Sequence, residues 1–410
     1  MKHFLAYGNS DQASFRDPAV RECFDVMTVP GTIAAYYADA TAAFVLSSEL
    51  DYIIDPRTPL FQEVIDVPRA SHFALASHCG AAIARVLAEG DGAVAFPADF
   101  YTADVVTELV NGILSFQLGY GRRAGEITAQ LTRYAALLAE SRGLQPIQTA
   151  AADNQRAPAF ILAPYFAMMS PDDPWGDLNR KIWDACVSAA EEPRNVSAVV
   201  AVTDVRSLTA VLERIPEELS RATFFWIAGL NERRSSIADL SLLWEGVAAW
   251  GGHRDLVNLY GGFFSICLHY AGLFGFNNGL GYSESRDWPE LGATGAAPAR
   301  YYMPALHLFV SPAVAQLICE QDDWFRCACS VCLAQPDGRV VGLSYHRLKA
   351  HFALARRQEL ELVTTGELAT VVDGLRTTAS RFNSLRRRLP PGMPDVTHLL
   401  RWAEVLEDHG

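Results

Sequence analysis

Eight short runs of almost wholly apolar residues punctuate this chain: AFVL (43–46), YII (52–54), AVAF (93–96), FILA (160–163), AVVAV (198–202), FFWIA (224–228), LVNLY (256–260) and LFGF (273–276). Runs that are apolar throughout, rather than at alternate positions, suit strands buried on both faces, which is the situation inside a parallel sheet. Stretches of helical character separate several of them. The stretch 205–214 follows Asp204, a predicted N-cap, and 235–250 stops at Gly251 and Gly252. Eight β units alternating with helices predict a (β/α)8 TIM barrel. A doubly wound open sheet is the competing arrangement, but no GxGxxG follows the first run.

With 410 residues the chain is long enough for one large barrel and an appendage. The texture changes near Asp322, where a cysteine cluster, a PDG turn (336–338) and long amphipathic helices take over. The predicted division is a barrel over residues 1–320 and a small helical subdomain over 321–410. Half of the residues are hydrophobic and a fifth charged, the balance of a folded globular protein. No apolar run approaches the roughly 20 residues that span a bilayer. The opening MKHFLAYGNSDQ turns polar at once, so no secretory leader is read there and a cytoplasmic location is expected.

Five of the eight cysteines are scattered singly, while Cys327, Cys329 and Cys332 crowd into the six-residue stretch CACSVC. Three thiolates so close together can wrap a tetrahedral ion, and zinc is its expected occupant. The fourth ligand must come from downstream: His346 and His351 are the candidates, with Glu367 as an oxygen alternative, and His351 is preferred. Three thiolates and a histidine leave no open position for water, so the zinc is expected to be structural.

A CxCxxC cluster followed by a histidine-bearing helix, after an α/β barrel, resembles the tRNA-guanine transglycosylase superfamily. The runs FFWIAGLNE (224–232), LVNLYGGF (256–263) and GLFGFNNGLGYSESR (272–286) are similar in order and spacing to that family's last strands. The resemblance implies an enzyme that exchanges or removes a nucleobase at its glycosidic bond, and its nearest branch acts on DNA, including glycosylases directed against modified phage DNA. It also places the family's nucleophilic aspartate at Asn277, with Asn278 beside it, and an amide is a poor nucleophile. Asp55, in ELDYIIDPRTPLFQ, stands where the family's DSGGFQ aspartate would, with Phe61 and Gln62 downstream.

Asp51 and Asp55 flank one short strand, and Asp55 at its C-terminal end would face the barrel mouth. Asp55, Asp51 and Glu284 are therefore the predicted catalytic carboxylates, able to stabilise an oxocarbenium-like sugar or orient water. Asp55 capping a turn before Pro56 is the alternative. Asn277, Asn278, Tyr282, Arg286 and Asp99 are the predicted substrate contacts. The two asparagines would read a base edge together and Arg286 would clamp a phosphate. Turn-forming asparagines, a Glu284–Arg286 surface pair and Asp99 as an N-cap for a helix over 103–113 remain open. Tyr301, Tyr302 and His307 either stack on a base or pack, with packing preferred.

The formal charge of −13 speaks against a wholly basic binder, but its distribution is uneven. Residues 339–388 hold ten basic and four acidic residues, a local +6 that leaves −19 elsewhere. That segment ends in Arg386, Arg387 and Arg388, the predicted contacts to a nucleic-acid backbone. A merely solvated helix face is the alternative. The expected function is a DNA base glycosylase that flips out a modified base, excises it and leaves an abasic site. A base-exchanging transglycosylase on tRNA or DNA and a catalytically silent binding subunit are the competing expectations. Nucleic acid is the expected partner, DNA ahead of tRNA, no membrane is expected, and a homodimer stays open.

Overall fold

The computed structural model describes residues 1–122, 127–141, 156–281, 284–287, 299–335 and 338–410. Eight parallel strands make its main sheet: β1 (Lys2–Ala6), β2 (Val26–Pro30), β3 (Asp51–Asp55), β4 (Ala167–Met168), β5 (Val199–Val202), β6 (Ala222–Ile227), β7 (Asp255–Asn258) and β8 (Gly275–Gly279). Their spatial order is β3-β2-β1-β8-β7-β6-β5-β4. The helices that matter below are α1 (Ala38–Ser48), α2 (Ala103–Tyr120), α3 (Ile237–Trp250), α4 (Phe263–Cys267), α5 (Tyr345–Thr365), α6 (Leu368–Arg386) and α7 (Thr397–His409).

Side chains alternate across a strand, so each strand feeds two cores. Leu5, Met27, Ile54, Val200 and Phe225 point outward into the layer that the helices cover. Phe4, Val26, Ile53, Val199, Phe224 and Val257 point inward and form a separate cluster. Ile53 of β3 and Ala167 of β4, from the two edges of the sheet, share that inner cluster, so the sheet curls around it and the fold is barrel-like. Residues 159–162 lie between the edges: Ala159 N–H donates to Tyr52 O at 2.7 Å, Phe160 bridges Ile53, and Ile161–Leu162 pair with Val196–Ser197 just before β5.

Several sequence expectations need correction. AFVL lies inside α1, because a short apolar run does not distinguish a strand from a buried helix. AVAF supplies a strand, Val94–Phe96, but it pairs antiparallel with Glu63–Ile65 outside the main sheet. FILA supplies only Ile161–Leu162, which pairs with Val196–Ser197 outside the main sheet, so β1, β2 and β4 take the places these three runs were expected to fill. The helix after Asp99 starts at Ala103 and runs to Tyr120, while Asp99 sits exposed in the turn Ala98–Phe100, so it does not cap α2. Asp204 does cap its helical turn, through Arg206 N, and Ser236 caps α3 through Asp239 N. The PDG turn falls partly outside the described residues. No helix among the described residues is long and apolar enough to cross a membrane.

The C-terminal helices pack onto this body, and α7 carries a test of that contact. Trp402 is buried against Phe263, and His398 donates from Nε2 to Leu306 O at 3.0 Å with its ring edge-on to Trp402. Burial pushes the His398 imidazole down to about 4. A histidine whose folded value lies below its unfolded one adds stability that is present above pH 6.5 and lost as the pH falls through 4. Replacing it with glutamine removes this dependence. The stability difference between wild type and His398→Gln, measured by urea unfolding, should therefore shrink by at most about 3 kcal/mol from pH 7 to pH 4.

Candidate metal centre and strand-end site

Cys327 and Cys329 lie in a loop, Cys332 lies in the short helix Ser330–Leu333 that follows, and His351 projects from the second turn of α5. Their donor atoms all fall within 4.8 Å of one another. The His351 Nδ1 is 3.3 Å from the sulfurs of both Cys329 and Cys332. Its Nε2 is 2.7 Å from Tyr302 O, and because a carbonyl only accepts, Nε2 carries the hydrogen and the Nδ1 lone pair faces the thiols. The Tyr301 ring stacks on the imidazole at 4.2 Å and fixes its plane. A Cys3His set with Cys329 and His351 buried, Cys327 and Cys332 half-buried, and the histidine oriented can hold a metal ion of tetrahedral, sulfur-preferring chemistry. His346 and Glu367 are exposed and stand outside the cluster.

The second site gathers where the strands end. Asp55, the last residue of β3, is buried. Its Oδ1 accepts from Tyr165 OH at 2.8 Å and its Oδ2 from Arg57 Nε at 3.3 Å. Arg57 adopts φ +52, a left-handed conformation that turns its side chain back toward the carboxylate. Gln62 grips the backbone of Ala167 at both its N–H and its C=O, and Thr58 does the same at Tyr165, so the loop after β3 is tied to the start of β4. Tyr260, just past β7, packs on Trp226 and receives the Arg286 guanidinium 6.0 Å from its ring centre. Arg286 O accepts from Trp226 Nε1 at 2.8 Å and from Gly229 N at 3.1 Å. Asp55, Arg57, Tyr165, Tyr260 and Arg286 thus surround the C-terminal ends of parallel strands, the face on which barrels build their sites.

A buried charge network adjoins this face. Glu232, in the loop after β6, accepts from Gly262 N, Phe264 N, Ser265 N and Ser265 Oγ, which satisfies the N-terminus of α4. Burial raises its carboxyl to about 7. Glu284 pairs with Arg356 of α5, and burial raises it too. Arg356, fully buried, also donates to Glu359 at 2.8 Å, and Glu359 accepts from Tyr302 OH at 2.7 Å and from His307 Nδ1 at 2.6 Å. Gly262 leaves room for this crowding, since a Cβ there would lie 2.8 Å from Glu232 Oε2 and 3.4 Å from Glu284 Oε2. Arg356→Met would strand buried carboxylates without their cation. Unfolding in urea at pH 8 should show a loss of about 3–5 kcal/mol, partly recovered at pH 5.

The structure separates some of the residues that were expected to act together. Asp51 lies at the opposite end of β3 from Asp55, exposed and ion-paired with Arg156 at 3.2 Å, so the two aspartates do not form a carboxylate pair. Asn277 and Asn278 point to opposite faces of β8, because successive strand residues alternate. Asn277 faces inward and donates from Nδ2 to Leu259 O at 2.9 Å, while the Asn278 amide lies 3.2 Å from His3 Nε2 in the outer layer. They cannot read one base edge jointly. Glu284 pairs with Arg356 rather than with Arg286. Asp99 is exposed on a turn away from the main sheet. Tyr282 lies outside the described residues. Tyr301 and Tyr302 are fully buried and pack, as preferred.

The basic segment also changes character. Six of its ten basic residues are ion-paired, five of them with acids outside the segment: Lys349 with Asp11, Arg356 with Glu284, Arg376 with Glu407, Arg381 with Asp322 and, at 3.9 Å, Arg386 with Asp395. Arg357 pairs locally with Glu361. The local +6 is therefore largely neutralised in the folded chain. Arg387 and Arg388 are exposed, without an ion-pair partner among the described residues. The residues that the sequence did not single out are Arg57, Tyr165, Tyr260, Glu232 and Arg356. Only the first carried a local sign, two positions after Asp55.

Fold and donor set together define an α/β, barrel-like protein with a Cys3His centre able to hold a metal ion. Compared with known proteins, the chain matches no family model and no curated protein.

Proposed function

We propose that this protein is an N-glycosylase of nucleic acid, with DNA favoured over RNA, whose strands close into a (β/α)8 barrel and whose Cys3His centre holds structural zinc. The observation that carries the reading is the buried Asp55 carboxylate, fixed by Arg57 and Tyr165 at the strand ends beside the rings of Tyr260 and Trp226. A flipped nucleotide placed there would meet the Tyr260 ring, backed by Trp226, for its base and a carboxylate for its sugar. Asp55 takes a proton from water, the water oxygen bonds to C1′, the C1′–N bond breaks with its electron pair going to the base nitrogen, and that nitrogen takes up the proton from Asp55, which returns to its carboxylate form. Asn277 supports hydrolysis rather than exchange, because its Nδ2 is already committed and its buried Oδ1 has no partner among the described residues. That oxygen can accept from a base N–H, whereas an amide is a poor nucleophile for forming a glycosyl-enzyme.

Closure of the barrel is supported by residues 159–162, which meet β3 on one side and the approach to β5 on the other. The zinc proposal is supported by sulfur-rich donors and by the hydrogen bond that orients His351. The function is tested by incubating the protein with modified DNA, unmodified DNA and tRNA, in the presence of labelled free base. Release of base with appearance of abasic sites is the expected result. Incorporation of label would make the protein an exchanger, and neither outcome on any substrate would overturn the reading.

A further inference from the structure

A cavity of about 520 Å³ opens between α4, the turn 304–307, α5 and α6, with Asp55 not among its lining residues. Its size falls within the range of small-molecule sites, and its wall is mostly apolar, with Phe263, Trp324 and Leu362 among the lining groups. Trp324 is 50% exposed and Leu362 53%, although both are large hydrophobic side chains. Arg381 lies over the Trp324 ring at 4.9 Å. At the wall stands His307, in a left-handed conformation at φ +49, stacked on Phe263 at 3.5 Å and bonded through Nδ1 to Glu359 at 2.6 Å. A non-glycine residue held in that conformation marks a constrained position. The carboxylate only accepts, so Nδ1 carries the hydrogen. Among the described residues nothing bonds to Nε2.

The charges of the wall select the ligand. No lysine or arginine lines the cavity among the described residues, and Arg381, over Trp324 at its edge, is already held by Asp322, so a phosphate or carboxylate would find no free counter-ion. Glu359 is already saturated by Tyr302, His307 and Arg356. Asp373, exposed and without an ion-pair partner among the described residues, is the remaining carboxylate. We infer that this cavity binds a small organic cation whose apolar, aromatic body fills the space between Phe263 and Trp324. Its ammonium is drawn by the Asp373 carboxylate. This inference does not depend on the base-release activity.

Three probes of one ring system test it by calorimetry on the full chain: tryptamine, uncharged indole and anionic indole-3-acetate. Tryptamine should bind one per chain and at least tenfold more tightly than indole-3-acetate. Asp373→Asn should remove most of tryptamine's advantage over indole while leaving indole unchanged. Gly374, on α6 at the cavity wall, has nothing within 4 Å of where a Cβ would lie, so Gly374→Phe can occupy the cavity without a backbone clash. That variant should fold with an unchanged melting temperature or a higher one, because glycine is a poor helix former, and should bind none of the probes. Absence of tryptamine binding, equal binding of tryptamine and indole-3-acetate, or binding that survives Gly374→Phe would overturn the inference.

Discussion

His351→Ala should purify without its metal and unfold at a markedly lower urea concentration than the wild type, a loss of at least about 4 kcal/mol. The size follows from what the imidazole joins. Its Nδ1 faces Cys329 and Cys332, its Nε2 holds Tyr302 O, and its face carries Tyr301. Losing the ring removes a metal ligand and leaves a buried carbonyl unpaired, next to thiols that would otherwise be held as thiolates by the ion. Wild-type protein stripped by a chelator should approach the variant in stability, and returning zinc should restore the wild type alone. Metal content near zero in untreated wild type, together with identical unfolding curves for the two proteins, would defeat the prediction.

Asp55→Asn is expected to lower base release by about 10²–10⁴-fold while leaving the fold intact. Asparagine fills the same space and keeps an oxygen for Tyr165 OH, so the loop tied by Thr58 and Gln62 retains its anchors. What it cannot do is accept a proton from water or balance positive charge growing on the sugar. The ion pair with Arg57 is lost as well, and because both side chains are nearly buried this costs stability, which urea unfolding reads separately from turnover. Asp51→Asn serves as the control, since Asp51 lies exposed at the far end of β3 and should leave turnover unchanged. Equal turnover by Asp55→Asn and wild type would remove Asp55 from the reaction.

The Cys3His cluster was legible because thiolate spacing is local: three cysteines in six residues point to a metal-binding site, and one helix downstream offers few histidines to complete it. The runs that became β5, β6 and β7 were legible because they are apolar enough to require burial on both faces. AFVL was misread for the same reason, since burial inside α1 demands the same residues. Adjacent asparagines invite a joint role on paper, yet a strand sends them to opposite faces. Charge was the least transparent. A sum over residues 339–388 cannot see that Asp11, Glu284, Asp322 and Glu407 come from elsewhere in the chain to meet those basic side chains.

The position of β1 between β2 and β8 carries a consequence for synthesis. Lys2 finds its partner in Gly275, so one side of the first strand stays unpaired until nearly all of the strands have left the ribosome. At roughly 5–20 residues per second that interval lasts roughly 15–55 s. Throughout it, the nascent chain displays an apolar strand edge, with Phe4 and Leu5 uncovered on its two faces, as a template for mispairing. How much of this protein a cell accumulates should therefore depend on translation speed and on chaperones that shield that edge.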